Sequence, residues 1–309
     1  MKNIATLTLN PTIDVAYEVE KVYSTRKMRT AHEYHNPGGG GINVARVFVR
    51  LGGNARVHYM SGGATGVALD GLLDRHQLVR AHIPIEGETR VATSVLERES
   101  GKEYRFVPPG PVVSEAEWQF ALDRLAEVEC DYFVASGSLP GGVPEDFYAR
   151  LGRMLAPRGI GFVLDSSGPG LREGLAGCSV LLVKPSQGEL QQLVGRELKG
   201  KDAIADAASE IVAKGQARYV AVTLGHEGAV LATADGTLFL PAIPIEARSA
   251  VGAGDSFVAA MVYALASDWS VEDAFRFGLA GGAAAVLTPG TDLARPDDIE
   301  RLYAMVKAE

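Results

Sequence analysis

Between residues 120 and 290, short apolar or β-branched runs alternate with longer amphipathic stretches. Asp131-Tyr132-Phe133-Val134-Ala135 reads as a strand and leads through a loop to a helix near 145–155. Ile160-Gly161-Phe162-Val163-Leu164, ending at Asp165, is another strand. Val180-Leu181-Leu182-Val183 and Tyr219-Val220-Ala221-Val222-Thr223 continue the series. Strands separated by helices make βαβ units and a parallel sheet, with functional residues just past the strand ends. Asp165, Lys184 and Gly225 fall at such ends. No repeat, low-complexity tract or flexible linker interrupts the 309 residues, so one domain over 1–309 is expected.

Two stretches break the rhythm. Residues 14–35 and 88–108 alternate in strand fashion with charges interspersed, and a turn candidate stands at Glu99-Ser100-Gly101-Lys102. Neither holds a helix long enough for a crossover, so they are expected to form one small separate sheet. Val91, Val95 and Leu96, with Val15, Tyr17 and Val19, are expected to supply its apolar face. Such a sheet has too little core to stand alone and leaves its edges open. Pairing two of them about a two-fold axis covers both, which predicts a homodimer.

The formal net charge of −8 gives no general attraction to nucleic acid or an anionic membrane, and neither partner is expected. Cys130 and Cys178 have no metal-ligand spacing and read as buried apolar residues in a reducing cytosol. Met1-Lys2-Asn3-Ile4 runs straight into a strand pattern without a signal-peptide core, and no apolar segment reaches transmembrane length. A cytoplasmic location is expected.

Two glycine elements carry the chemical signal. In Ser249-Ala250-Val251-Gly252-Ala253-Gly254-Asp255-Ser256-Phe257, a Gly-x-Gly turn ends in a carboxylate and an apolar helical run follows. The first N–H groups of a helix lack internal partners and attract anions, and glycines let a phosphate approach them. Asp255 is either a proton acceptor for a hydroxyl attacking that phosphate or an ordinary first-turn acid. Upstream, Pro37-Gly38-Gly39-Gly40-Gly41-Ile42-Asn43 is expected to be a loop passing close to a ligand, or else a tight strand-to-helix turn. A near match to a phosphate loop, Gly195-Arg196-Glu197-Leu198-Lys199-Gly200-Lys201-Asp202, has an acid where a hydroxyl is needed and no preceding strand, so it reads as a solvated loop.

Together these elements resemble the ribokinase-like, or PfkB, family of sugar kinases, from Thr6-Leu7-Thr8-Leu9-Asn10-Pro11 to Pro289-Gly290-Thr291. Gly62-Gly63-Ala64-Thr65-Gly66, Tyr104-Arg105-Phe106-Val107 and Ser136-Gly137-Ser138-Leu139-Pro140 support the phosphosugar branch, closest to its 6-phosphofructokinase members. The resemblance implies an α/β three-layer sandwich with a mostly parallel central sheet and a small projecting β-sheet lid. It implies Asp255 as catalytic base, with Gly252, Ala253 and Gly254 forming an anion hole. Asp14, Gly39, Gly40 and Asn43 would meet the sugar, and Lys27, Arg29, Arg90 and Ser138 its phosphate; Arg105 is a further lid cation of the kind a phosphosugar favours.

The resemblance further places Lys184, Ser186, Thr223, Gly225 and Gly228 at ATP. The family's Asn-x-x-Glu, which organises magnesium waters, is kept here only as Ser186 and Glu189. A potassium site would use Ser249, Val251, Ala285 and Gly290. There the family's Asp-Thr pair is replaced by Ser249-Ala250, and Asp292 stands where phosphofructokinases carry Arg. His226 is expected to be an exposed loop residue. The expected activity is ATP- and magnesium-dependent phosphorylation of fructose 6-phosphate at its 1-hydroxyl. Tagatose 6-phosphate kinase, fructose 1-phosphate kinase and a non-catalytic sugar-phosphate sensor are the alternatives.

Overall fold

Ile4–Thr8 (β1) is buried along its whole length, as a strand covered on both faces must be. The structure, a computed structural model, describes residues 2–307 apart from 247, 248, 250 and 289. β1 lies inside a nine-stranded sheet. On one side of it stand Tyr132–Ser136 (β8), Gly161–Asp165 (β9), Val180–Val183 (β10), Ala217–Thr223 (β11), Gly228–Thr233 (β12) and Gly236–Pro241 (β13). On the other stand Ala55–Ser61 (β4) and Val79–Pro84 (β5). Only the β11–β12 and β12–β13 pairs are antiparallel. The strands read from sequence over 131–135, 160–165, 180–183 and 219–223 all form, within two residues at each end.

Alternation along the strands divides the core into two layers. Phe133 and Ala135 of β8 point to one side and Val134 to the other. Glu115–Ala126 (α3), Phe147–Leu155 (α4), Gly168–Gly177 (α5), Gln187–Val194 (α6) and Gly200–Ala213 (α7) cover the first side. Gly40–Arg50 (α1), Gly63–Asp74 (α2), Ala253–Ala266 (α8), Val271–Val286 (α9) and Pro296–Lys307 (α10) cover the second. Each large apolar side chain buried this way contributes about 1.5–3 kcal/mol. Among the described residues no helix is long and apolar enough to cross a membrane.

The second sheet contains Thr12–Val19 (β2), Glu33–Gly38 (β3), Arg90–Glu97 (β6) and Glu103–Phe106 (β7), in the order β3-β2-β6-β7. Its expected apolar face needs correction. Val95 and Leu96 are neighbours in one strand and therefore point to opposite faces. Val15 and Val19 are already buried within the protomer, at 5% and 3% exposure. What remains exposed in and beside this sheet is Tyr34, Val91, Leu96 and Phe106, with Tyr23 and Met28 in the preceding loop. Cys130 and Cys178 are free and half-buried rather than fully buried.

Of the two readings of the upstream glycines, the tight strand-to-helix turn is the one that forms. β3 runs through Gly38, and α1 already begins at Gly40. Only Gly39 has a left-handed backbone, with φ of 109°. A Cβ on Gly40 would stand 2.9 Å from the carbonyl carbon of Ser136, and one on Gly41 would stand 2.8 Å from that of Leu7. The first turn of α1 therefore lies directly on the ends of β1 and β8. The Thr8 hydroxyl there accepts the otherwise unpaired N–H of Ile42 at 3.0 Å. Because a strand backbone cannot yield as a side-chain tip can, Gly41→Ala is expected to lower stability by about 1–3 kcal/mol. Urea denaturation checks this, and an unchanged midpoint would mean that helix and strand part freely.

Candidate active site

Asp255 stands in the first turn of α8, behind an N-cap Gly252 in the left-handed region at φ 73°. A side chain at Gly252 would strike Leu293, so the glycine lets this turn pack against the segment before α10. Asn43, in the first turn of α1, donates to the Asp255 carboxylate at 2.9 Å. The two glycine elements, 212 residues apart, thus meet at one hydrogen bond.

Around that bond the parallel strands deliver charge. Lys184 and Asp165, just past β10 and at the end of β9, form a buried ion pair at 3.2 Å. Ser136 at the end of β8 donates to the same Asp165 carboxylate at 3.2 Å. The Lys184 ammonium lies beside the first turn of α8, because a Cβ on Gly254 would be 3.4 Å from it. Burial works against the lysine's charge, but Asp165 and Glu189 outweigh it and hold its pKa above the ordinary value. The carboxyl groups compete for that single ammonium. Burial, and then the Asp165 charge, push Asp255 up to about 7. Burial likewise raises Asp165.

On the lid side, Asp14 of β2 faces this centre. Burial pushes it up to about 6, opposed by Arg46, Arg105 and Arg90. Gly38 leaves room for it, since a Cβ there would be 2.8 Å from its Oδ1. Arg90 is oriented by two carbonyls, donating to Asn10 at 2.8 Å and Pro108 at 3.0 Å. Arg105, opposite Ser94 in the register, is exposed, and Ser138 is partly accessible after β8. Lys27 and Arg29 lie in the exposed loop between β2 and β3.

The expected nucleotide residues gather at the ends of β10 and β11. Ser186 bridges to Thr223, whose N–H donates to the Pro185 carbonyl at 3.0 Å. Ser186 and Glu189 form a reciprocal capping box on α6, with the Ser186 hydroxyl donating to Glu189 Oε2 at 2.9 Å. Glu189 is therefore a first-turn helix acid, and among the described residues only its Oε2 accepts hydrogen bonds. Gly225 faces open space, whereas Gly228 is required by the close approach of the β13 backbone, 2.9 Å from Ala242 N. His226 is exposed, as expected.

Ser249 donates its hydroxyl to the Gly290 carbonyl at 2.9 Å and accepts the Val251 N–H at 3.2 Å. Thr288 donates to the Ala285 carbonyl at 2.7 Å. Ser249, Val251 and Gly290 are thus neighbours, and the Ser249 N–H donates to the Val286 carbonyl at 3.3 Å, next to Ala285, while Ala250 and Pro289 lie outside the described residues. Asp292 instead pairs with Arg50 at 3.0 Å. No group of three or more acidic, His or Cys side chains forms a metal cage among the described residues. A magnesium ion fits such a site when donor phosphates and water supply most ligands, with Glu189 or Asp165 behind the water. Asp165 and Arg46 were not among the sequence-derived site residues. The end of a parallel strand was the only signal for Asp165.

Residues 4–298 match the family described as pfkB family carbohydrate kinase. The ATP-dependent 6-phosphofructokinase isozyme 2 of Mycobacterium tuberculosis is 42% identical over 304 residues, covering 98% of this chain and 89% of that protein. Its Escherichia coli counterpart is 41% identical, covering 98% and 99%. The solved structure of E. coli phosphofructokinase-2 in complex with potassium superposes with a TM-score of 0.95 at 40% identity, over 99% of this chain and 100% of that one. The same E. coli protein has been solved as a tetrameric inhibited form and with fructose-6-phosphate, each at a TM-score of 0.93, 40% and 39% identical, over 99% of this chain and 100% of that one. Bacillus subtilis 1-phosphofructokinase and Staphylococcus epidermidis tagatose-6-phosphate kinase are more distant. They are 28% and 29% identical, each covering 98% of both chains.

Asp255 has a folded pKa above its ordinary 3.8, so folding disfavours its charged form. That contribution to stability is complete below the unfolded value and is lost as pH rises through about 7. Asp255→Asn, neutral throughout, is expected to be more stable than the parent by about 1–3 kcal/mol at pH ~8. The gain should shrink near pH ~5 and vanish below pH ~4. Urea melts at the three pH values check this, and no gain at the highest would sink it.

Proposed function

The chain belongs to the pfkB family of carbohydrate kinases, and we propose that it transfers the γ-phosphate of ATP to the 1-hydroxyl of fructose 6-phosphate, giving fructose 1,6-bisphosphate and ADP. The observation that carries this reading is Asp255. Its carboxylate is held by Asn43 at 2.9 Å in the first turn of α8, next to Lys184. With a pKa near 7 it can take a proton at neutral pH, which is what a general base needs. As the sugar oxygen bonds to the γ-phosphorus and the bridging oxygen leaves with ADP, the hydroxyl proton passes to Asp255. The first-turn N–H groups around Ala253 and Gly254 face the charge on the transferring group. Lys184 adds a fixed positive charge nearby. Magnesium, bound with ATP, neutralises the donor phosphates.

Arg90 and Arg105, close enough to Asp14 to act on its charge, suit a phosphorylated hexose better than a free sugar. The 6-phosphofructokinase relatives are the more similar ones, and fructose 1-phosphate and tagatose 6-phosphate are the alternative substrates. Ser249 with the carbonyls of Val251, Ala285 and Gly290 would hold potassium, supported by the potassium complex of the E. coli relative. The half-buried free thiols suit a reducing cytosol.

The exposed Lys27 and Arg29, and the apolar side chains left on the lid, support a homodimer joined through the lids. In it a second copy's loop would complete the phosphate clamp. An oligomeric E. coli relative agrees with such assembly.

Turnover on a panel of phosphorylated and free sugars tests the substrate, and the same assay with sodium in place of potassium tests the cation loop. Asp255→Asn is expected to lose at least about a hundredfold in kcat with ATP binding retained. Arg90→Ala should weaken phosphosugar use by about 1.5–3 kcal/mol and leave ATP affinity unchanged. Near-normal turnover in the first variant, or unchanged kcat/KM in the second, would remove that residue from its role. For the assembly, Leu96→Asp, at an exposed lid position, should give monomers with impaired phosphosugar binding. Light scattering that finds the unmodified protein monomeric and active at micromolar concentration would defeat the lid dimer.

A further inference from the structure

Arg46, one turn beyond Asn43 in α1, is 2% exposed. One of its terminal nitrogens donates to the Pro37 carbonyl at 2.9 Å and to Asn43 Oδ1 at 3.1 Å. The other donates to Asn36 Oδ1 at 3.3 Å, and Nε is buried without a partner. All three bonded partners are neutral. A buried cation held this way is costly, and an apolar side chain of the same length would serve packing alone as well. Burial and Arg50 pull its pKa down only to about 10, so it stays charged at neutral pH.

The geometry shows what the cation does. Because Asn43 Oδ1 accepts from Arg46, its Nδ2 is the group turned toward Asp255, 2.9 Å away. A flipped amide would set NH2 against a guanidinium and oxygen against a carboxylate. Asn36 and Pro37 belong to β3, where Asn36 lies opposite Asp14 in the register. Asn36 also donates to Thr291 at 2.9 Å, next to Gly290. One guanidinium therefore ties the lid strand to the amide that holds the catalytic carboxylate.

We propose that Arg46 is a positioning residue for the reaction, fixing the Asn43 amide toward Asp255 and anchoring both to lid strand β3. This rests on the kinase reading above. A donor held against Asp255 favours its ionised form, the one that accepts the hydroxyl proton. The charged groups acting on this pair are Asp14 from the lid, Asp165 and Lys184 from the strand ends, Arg50 at the end of α1 and Asp292 beside it. His76, after α2, also lies within range of Arg46, and burial holds its pKa down at about 4, so it is neutral at the pH of the assay.

The test follows the acid limb of the kcat/KM profile, together with a carbon-13 titration of the Asp255 carboxyl that does not depend on turnover. In Arg46→Met both should move up by about one pH unit, with kcat reduced about ten- to a hundredfold and KM for ATP unchanged. Arg46→Lys, which keeps the charge but not the fork, should lose kcat and move the limb up by less than Arg46→Met does. In an Asn43→Ala background, Arg46→Lys should cost little more, since both act through one amide. A merely structural role would lower activity without moving the limb. An unmoved Asp255 titration in Arg46→Met overturns the proposal. If that variant does not fold, additive effects of Arg46→Lys and Asn43→Ala overturn it instead. A parent protein inactive on every phosphosugar would sink the kinase reading and leave the titration to decide this one.

Discussion

Asn43 can reach Asp255 only because the first turn of α1 lies directly on the ends of β1 and β8. Glycines at 40 and 41 allow that approach, and the Thr8 hydroxyl meets the exposed helix N–H of Ile42. The rest of the site inherits this constraint. A helix start displaced by one side chain would carry Asn43 and Arg46 away from α8 together. It would also detach the lid strand, because Arg46 holds the Pro37 carbonyl. The N-terminal glycines are thus a packing requirement first, and the site's geometry follows from it.

The site's second property is shortage of charge compensation. Asp14, Asp165 and Asp255 converge on a region supplied from inside the main body by Lys184 and Arg46. Desolvation therefore raises all three carboxyl groups. Removing one partner of the Lys184–Asp165 pair would strand a buried charge, at a cost of about 3–5 kcal/mol. Such a cluster is an inefficient way to stabilise a fold and a suitable way to keep a base poised near neutrality. The same lack of internal compensation suits a site that receives a highly charged phosphate donor with its metal.

The lid carries exposed apolar side chains on both faces, Tyr34 and Leu96 on the side of Asp14 and Val91 and Phe106 on the opposite one. Residues in register with Asp14 turn toward the site, and Ile13, Val15 and Val19 are buried in the protomer. Tyr34, Val91, Leu96 and Phe106 stay exposed on a sheet of four strands. That is more apolar surface than a small sheet edge ordinarily leaves to water.

Periodicity alone was enough to locate the four parallel strands between residues 131 and 223, because each is short, apolar and largely buried, whereas the antiparallel β12 and β13 were not read. It also separated the lid, whose strands lack crossover helices. Glycine next to a carboxylate at a helix start marked Asp255, since that chemistry is local to a few residues. Other features were invisible at that level. The fourfold glycine run leaves a loop and a strand-to-helix turn both open, and only the neighbouring strand backbones decide for the turn. The capping box at Ser186 and Glu189 satisfies a local rule, yet only the fold brings it beside Thr223. Arg46 and Asp165 carry no motif, and their roles arise from partners on distant segments of the chain. Sequence by itself determined the parallel strands between residues 131 and 223, the separation of the lid strands and the carboxylate at the glycine turn, because these depend on neighbours within a few residues. Tertiary structure alone decided which charges share one buried space, because desolvation and Coulomb energy depend on distance in space and not along the chain.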